Sequence, residues 1–276
     1  MSTDFFITED NNSDPMQTGF NDGIKLPFPT LFFSWRNGDP ALDELGENNV
    51  KYTGGWEMNE KNYENVKANF PNLPLYFKPT TFKGKTENYN AFVTKQIAVV
   101  PVGMRERSLM KVDGRDVPVK RFTKGSKSHL QMIAFMADFS EGAYKPYGAV
   151  ILSAKSNSAA AVKSAFTTFD AQTKDLRSSI KVPYYRFFIR IGIGTPKFET
   201  VGRGNDTHDI TPCQLIAPQA GWTMDALKAA YIGKDVIEQI STLQIAAAEW
   251  LNDKAWMNGD AQAAPVQPLI PAEQVY

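Results

Sequence analysis

The chain has 276 residues, 42% hydrophobic and 22% charged, with 30 basic side chains against 30 acidic ones. That composition excludes a disordered or fibrous chain and fits a soluble globular protein of one large or two small domains. Cys213 is the only cysteine, which excludes an internal disulfide and any cysteine-built zinc site and fits a reducing compartment.

The N-terminal MSTDFFITEDNNSDP has no basic n-region and no apolar h-region, so it does not read as a secretory leader. No apolar run approaches the roughly 20 residues of a membrane span. A cytoplasmic location is the expectation. Residues 1–24 are rich in Asp, Asn, Ser and Gly without periodicity and read as a flexible arm. Residues 25–90 read as an N-terminal extension dense in aromatics, including Trp35 and Trp56. Within it, Lys51 to Met58 suggests a hairpin around Gly54 and Gly55, and Asn59 to Phe70 a helix stopped by Pro71.

From Ala91 the pattern turns β. Ala91 to Arg107 is a long strand whose Pro101 and Gly103 suggest a bend or bulge. Asp113-Gly114 is a tight-turn signal between Ser108–Val112 and Val117–Phe122. The stretch Lys120 to Ser128 is basic and contains glycine, and reads as a mobile connection. Two further strands follow, Leu130–Phe139 and Tyr147–Ala154, joined by a turn over Ser140–Pro146. Asn157 to Thr173 has Val162, Ala165, Phe166 and Phe169 at helical spacing, with Asn157 or Ser158 as its cap. After Ile216 come two helices within 222–257: a short one capped by Thr223, and a longer one from Asp235 to about Trp256. The longer one has an apolar face of Val236, Ile237, Ile240, Leu243, Ala247, Trp250 and Leu251. Residues 258–276, rich in Pro, Ala and Gln, read as a disordered tail.

The zero net charge hides a segregation. Residues 1–94 carry 8 basic and 13 acidic side chains, residues 95–203 carry 19 and 8, and residues 204–276 carry 3 and 9. A basic middle between acidic ends points to an anionic partner at the middle. Val182 to Arg203 sharpens this. Read as a strand, it puts Tyr184, Arg186, Phe188 and Arg190 on one face, and Tyr185, Phe187, Ile189 and Ile191 on the other. The second set is a core face. The first interleaves rings with guanidinium groups, as a surface for stacked bases and phosphates does. A half-exposed strand with arginine stems packed on rings is the plainer alternative.

Signatures of catalysis are missing. There is no G-x-x-x-x-G-K-[ST] and no G-x-S-x-G. Gly192-Ile-Gly194 and Gly202-Arg-Gly204 are glycine pairs, not a dinucleotide fingerprint. His208 between Asp206 and Asp209 reads as a solvated turn, and Cys213 as a small apolar strand residue. No cofactor, metal or catalytic residue is expected.

The middle of the chain, 91–216, runs three strands, a helix and then further strands. In element order and surface chemistry it resembles an OB-fold, a partly open Greek-key barrel, as found in the single-stranded DNA-binding proteins of bacteria, plasmids and phages. The expected fold class is therefore mainly β with α: an OB-like barrel with an N-terminal extension and C-terminal helices. The resemblance implies a non-enzymatic protein that protects single strands during replication, recombination or repair. Bases would stack on Tyr184, Phe188 and Trp35 or Trp56. Phosphates would meet Arg105, Arg107, Lys120, Arg121, Lys124, Lys127, Arg186, Arg190 and Arg203. RNA is an alternative ligand, a homo-oligomer an expected state, and the tail a route to replication or recombination proteins. The final PAEQVY departs from the acidic tail with terminal Pro-Phe of the bacterial form. The competing readings are a structural or adaptor protein whose basic face meets an acidic protein, and an enzyme of nucleic-acid metabolism.

Overall fold

The computed structural model describes residues 31–38, 54–59, 75–81, 88–120, 123–140, 143–202, 207–253 and 256–257. The expected N-terminal arm, the 59–70 helix and the C-terminal tail lie outside them. The described chain is mainly β, built on one 10-stranded sheet.

The sheet is organised by three long strands. β5 (Gln96–Val112) carries the apolar run Ile97–Val100, buried on both faces as in a strand at the middle of a covered sheet. Its register slips between Pro101 and Gly103, as the sequence suggested, because proline cannot donate to the ladder. β5 turns at Asp113 and Gly114, both with positive φ, into β6 (Arg115–Val119). That is the two-residue turn whose twist matches paired strands. β7 (Lys127–Ser140) pairs antiparallel with β5, and β8 (Ala143–Lys155) with β7.

Helix α1 (Asn157–Ile180) then crosses the sheet and buries Val162, Ala165, Phe166 and Phe169. It outruns the expected end at Thr173 by two turns. It closes on Lys181 in the left-handed conformation, with Arg177 buried and bonded to Thr173 and Asp170. The chain returns through β9 (Ile189–Ile193), which pairs with β5. The spatial order of β9, β5, β7 and β8 is fourth, first, second, third, a Greek key. β10 (Glu199–Val201) and β11 (His208–Ile210) form a separate small hairpin, and β12 (Cys213–Leu215) adds beside β9.

The N-terminal extension continues this sheet. β1 (Leu31–Asn37) lies parallel on β8, β2 (Gly54–Asn59) pairs with β1, and β3 (Leu75–Thr81) and β4 (Asn88–Thr94) complete the path. Gly54 and Gly55 therefore open a strand and are not the tip of a hairpin. The sheet is strongly curled. β1 and β12 stand five strand spacings apart in the pairing order, about 24 Å in a flat sheet. Yet the Trp35 indole donates to the Thr211 carbonyl, two residues before β12, at 2.8 Å.

Two cores result. The inner one gathers Phe33, Trp35, Trp56, Met58, Ile97, Val99, Met132, Leu152, Ile191 and Cys213 under α1 and α2 (Met224–Ala230). Thr223 caps α2 as expected, accepting from the Ala226 amide. The outer one holds Val100, Val102, Ile133, Phe135 and Phe188 under α3 (Gly233–Ala246), which buries Val236 and Ile240. The expected single helix breaks at Ala247, and α4 (Ala248–Leu251) continues it. Both faces of the central sheet are thus covered by helices.

Candidate nucleic-acid interface

The stretch expected to be the binding strand is not one strand. Pro183 starts a single 3₁₀ turn over Tyr184–Arg186, and extended backbone resumes only at Phe187. The cause is tertiary. The Phe188 amide donates to the Ala230 carbonyl and the Ile232 amide to the Arg186 carbonyl, tying this segment to the chain after α2. The turn breaks the alternation at Tyr184–Arg186 only. From Phe187 it holds, with Phe187, Ile189 and Ile191 in the inner core, but the other face is covered by α3, so Phe188 is no exposed stacking residue. Tyr184 packs against the inner core, whereas Tyr185, expected in the core, is exposed. Arg186 stays partly accessible beside the Tyr185 ring.

Four other expected contacts are also interior. Trp35 and Trp56 meet edge to face at 5.1 Å in the inner core. Arg105 and Arg107, only 4% and 2% exposed, point into the layer beneath α4. The Arg105 guanidinium lies 3.6 Å from the Trp250 ring centre and 4.0 Å from that of Trp256; Arg107 lies 4.4 Å from Trp256. Arg105 also bonds the Gln131 side chain and the Trp250 carbonyl, with the Asp253 carboxylate 3.8 Å away. Arg107 donates to His129 Nδ1, and His129 Nε2 meets the Ser153 hydroxyl. Burial pushes Arg105 down to about 9. Burying a charge is costly unless it is paired, and here two indole faces, an amide and a carboxylate compensate it. Burial first, and then the positive charges of Arg107, Lys155 and Arg105, hold His129 well below its usual range. Sequence periodicity showed Trp250 on an apolar helix face, but not that Arg105 would be its partner.

The accessible cations gather elsewhere. Lys120, Lys124 and Lys127 are exposed, as expected, around the turn between β6 and β7. The β5–β6 hairpin beside them adds Lys111 and Arg115, both exposed. β8 ends there with Lys155, paired to Asp116, and α1 begins there with Lys163, paired to Glu106. Arg121 and Arg203 lie outside the described residues. One end of the sheet is therefore basic, with an exposed hairpin that also shows Val112 and Val117 to solvent.

At the opposite end of β7 a second cluster emerges, of which the sequence indicated Phe188 and Arg190 but not Tyr144 or Phe139. Tyr144 stacks on Phe188 at 5.4 Å and 10°, and Phe139 lies 4.6 Å beyond Tyr144. This row leads from the outer core to solvent, where Phe139 is 37% exposed. The Arg190 guanidinium sits over the Phe139 ring at 4.6 Å, and its Nη2 donates to Gln96 Oε1 at 2.8 Å. Burial pushes the Tyr144 hydroxyl up, and the nearby Arg190 charge opposes that shift. Of the four residues on the expected ring-and-arginine face, Arg190 is the one found in a ring–guanidinium pair between strands.

His208 and Asp209 are exposed on β11, where Asp209 accepts from Thr200; Asp206 lies outside the described residues. Among the described residues no helix is long and apolar enough to cross a membrane. No protein-family model, curated protein or solved structure matches the chain.

Proposed function

We propose that the protein binds single-stranded DNA with little sequence preference and without chemistry of its own, covering exposed strands during replication, recombination or repair. The observation that carries this reading is the exposed basic end formed by Lys111, Arg115, Lys120, Lys124 and Lys127. Cations on a projecting hairpin and turn contact phosphates without reading bases, which gives salt-dependent and sequence-tolerant binding. The strand order supports it. β12, β9, β5, β7 and β8, with α1 after the third strand of the Greek key, suit an OB-type barrel opened where β1 pairs with β8. Such barrels commonly hold single strands in basic grooves.

The test is a gel shift with labelled single-stranded and duplex oligonucleotides at two salt concentrations. Tighter binding of the single strand, falling steeply with salt, is expected. Equal affinity for both forms removes the single-strand preference. No binding at low salt removes the reading and favours an acidic protein as the partner of the basic end.

A further inference from the structure

The cluster at the far end of β7 lies outside the basic end. We infer that Phe139, Arg190 and Tyr144 form a nucleobase-stacking site, one that receives an unpaired base of the bound strand. This rests on the proposed single-strand binding and deepens it, since phosphate contacts alone do not separate single strands from duplex.

Three features make this a built site. The three side chains come from separate strands, β7, β8 and β9, and Gln96 on β5 fixes the guanidinium from a fourth. The neighbouring pair of Tyr185 and Arg186 differs: its residues are adjacent in sequence and 5.7 Å apart. Next, the ring row is anchored at its inner end, where Tyr144 lies nearly parallel to the buried Phe188. A base landing on Phe139 thus meets a surface already ordered, so little side-chain entropy is lost on binding. Finally, the chemistry suits a base. An aromatic face and a planar guanidinium both stack on bases whatever the sequence, and the guanidinium keeps donors for a phosphate. In duplex DNA the bases are already stacked on one another, so this site discriminates by strandedness.

The experiment uses the full-length chain and a fluorescein-labelled oligothymidylate, read by anisotropy for wild type, Phe139→Leu, Phe139→Trp and Tyr231→Leu. Tyr231 is an exposed ring, at 45% exposure, whose ring contact is Phe187 and not a residue of the stacking site, and it serves as the control. Phe139→Leu is expected to weaken binding roughly 5- to 150-fold, the equivalent of about 1–3 kcal/mol per stacked base, with the salt slope unchanged. Phe139→Trp is expected to restore it and Tyr231→Leu to leave it intact. An oligonucleotide carrying 5-iododeoxyuridine is expected to photocrosslink at Phe139 or Tyr144, which stands even where the leucine variant folds poorly. Unchanged affinity in Phe139→Leu, an equal loss in Tyr231→Leu, or crosslinks confined to the basic end would each overturn the stacking site while leaving single-strand binding standing. No binding by wild type at low salt would bring down both.

Discussion

Acidification should destabilise this fold through one imidazole. His129 is wholly buried on β7, between Arg107 on β5 and Ser153 on β8, with the Trp256 ring 5.6 Å away. Burial and the charges of Arg107, Lys155 and Arg105 keep it neutral in the fold, whereas its ordinary value is 6.5. The unfolded chain therefore binds the extra proton as pH falls through about 6.5, and stability declines below that point. The slope is at most about 1.4 kcal/mol per pH unit, and the integrated loss between about pH 7 and pH 5 is at most about 2 kcal/mol. Urea denaturation at the two pH values measures it. His129→Asn removes the titrating group and keeps an acceptor near the Nδ1 position for Arg107. The variant starts less stable, but its change between the two pH values should be smaller than that of wild type, by up to about 2 kcal/mol. An equal pH dependence in both proteins would refute a neutral, cation-flanked His129.

Replacing Lys111, Lys120, Lys124 and Lys127 together by alanine should weaken single-strand binding and flatten its salt dependence. The expected change is roughly 0.7 log unit per log unit of salt for each phosphate that is no longer neutralised, read from titrations over a salt series. Phe169→Ala should cost about 3–5 kcal/mol in denaturant unfolding, because Phe169 is wholly buried between Phe187 and Trp222. Gly192→Ala should cost about 1–3 kcal/mol or more, since its Cβ would press on the Lys95 carbonyl and come within 2.7 Å of Gln96 Cα. Backbone atoms cannot step aside, so β9 and β5 would have to separate, and a melting temperature equal to wild type would contradict that packing.

Much of the framework was legible because it is written locally. Asp113-Gly114 specifies its own turn, Pro101 and Gly103 mark their own bulge, and Thr223 caps its own helix. The α1 stripe of Val162, Phe166 and Phe169 shows its burial by spacing alone. What failed depended on partners distant in sequence. The run from Tyr184 to Ile191 has strand composition throughout, but the hydrogen bonds that Phe188 gives to the Ala230 carbonyl and that the Arg186 carbonyl receives from Ile232 impose a turn at its start. That turn exchanges the expected places of Tyr184 and Tyr185; from Phe187 on the alternation holds, but α3 covers the other face, so Phe188 is buried there. Arg105 and Arg107 illustrate the same limit. Charge alone places them on a surface, and only the return of Trp250, Asp253 and Trp256 from well over a hundred residues later makes burial tolerable. The local count of basic residues did locate the exposed lysines, because Lys120, Lys124 and Lys127 lie around a polar connection that includes Thr123, Gly125 and Ser126.

The placement of the two clusters leads to one more test. β7 is 14 residues long, about 45 Å when extended, with Lys127 at one end and Phe139 near the other. Helices cover the sheet on both faces between them. A strand that touches both ends must therefore run the length of the domain, and the two groups lie too far apart to touch each other. Their losses should add: Phe139→Leu combined with the lysine substitutions should cost the sum of the separate losses within about 0.5 kcal/mol on a long oligothymidylate. The outcome should change with ligand length. An oligonucleotide too short to span the domain occupies one end at a time, so neither set of substitutions can remove more than its own binding mode. Its affinity should become insensitive either to the lysines or to Phe139. Strong non-additivity on the long strand, or equal sensitivity to both sets on the short one, would mean that the clusters act as a single site and that the strand takes a shorter path.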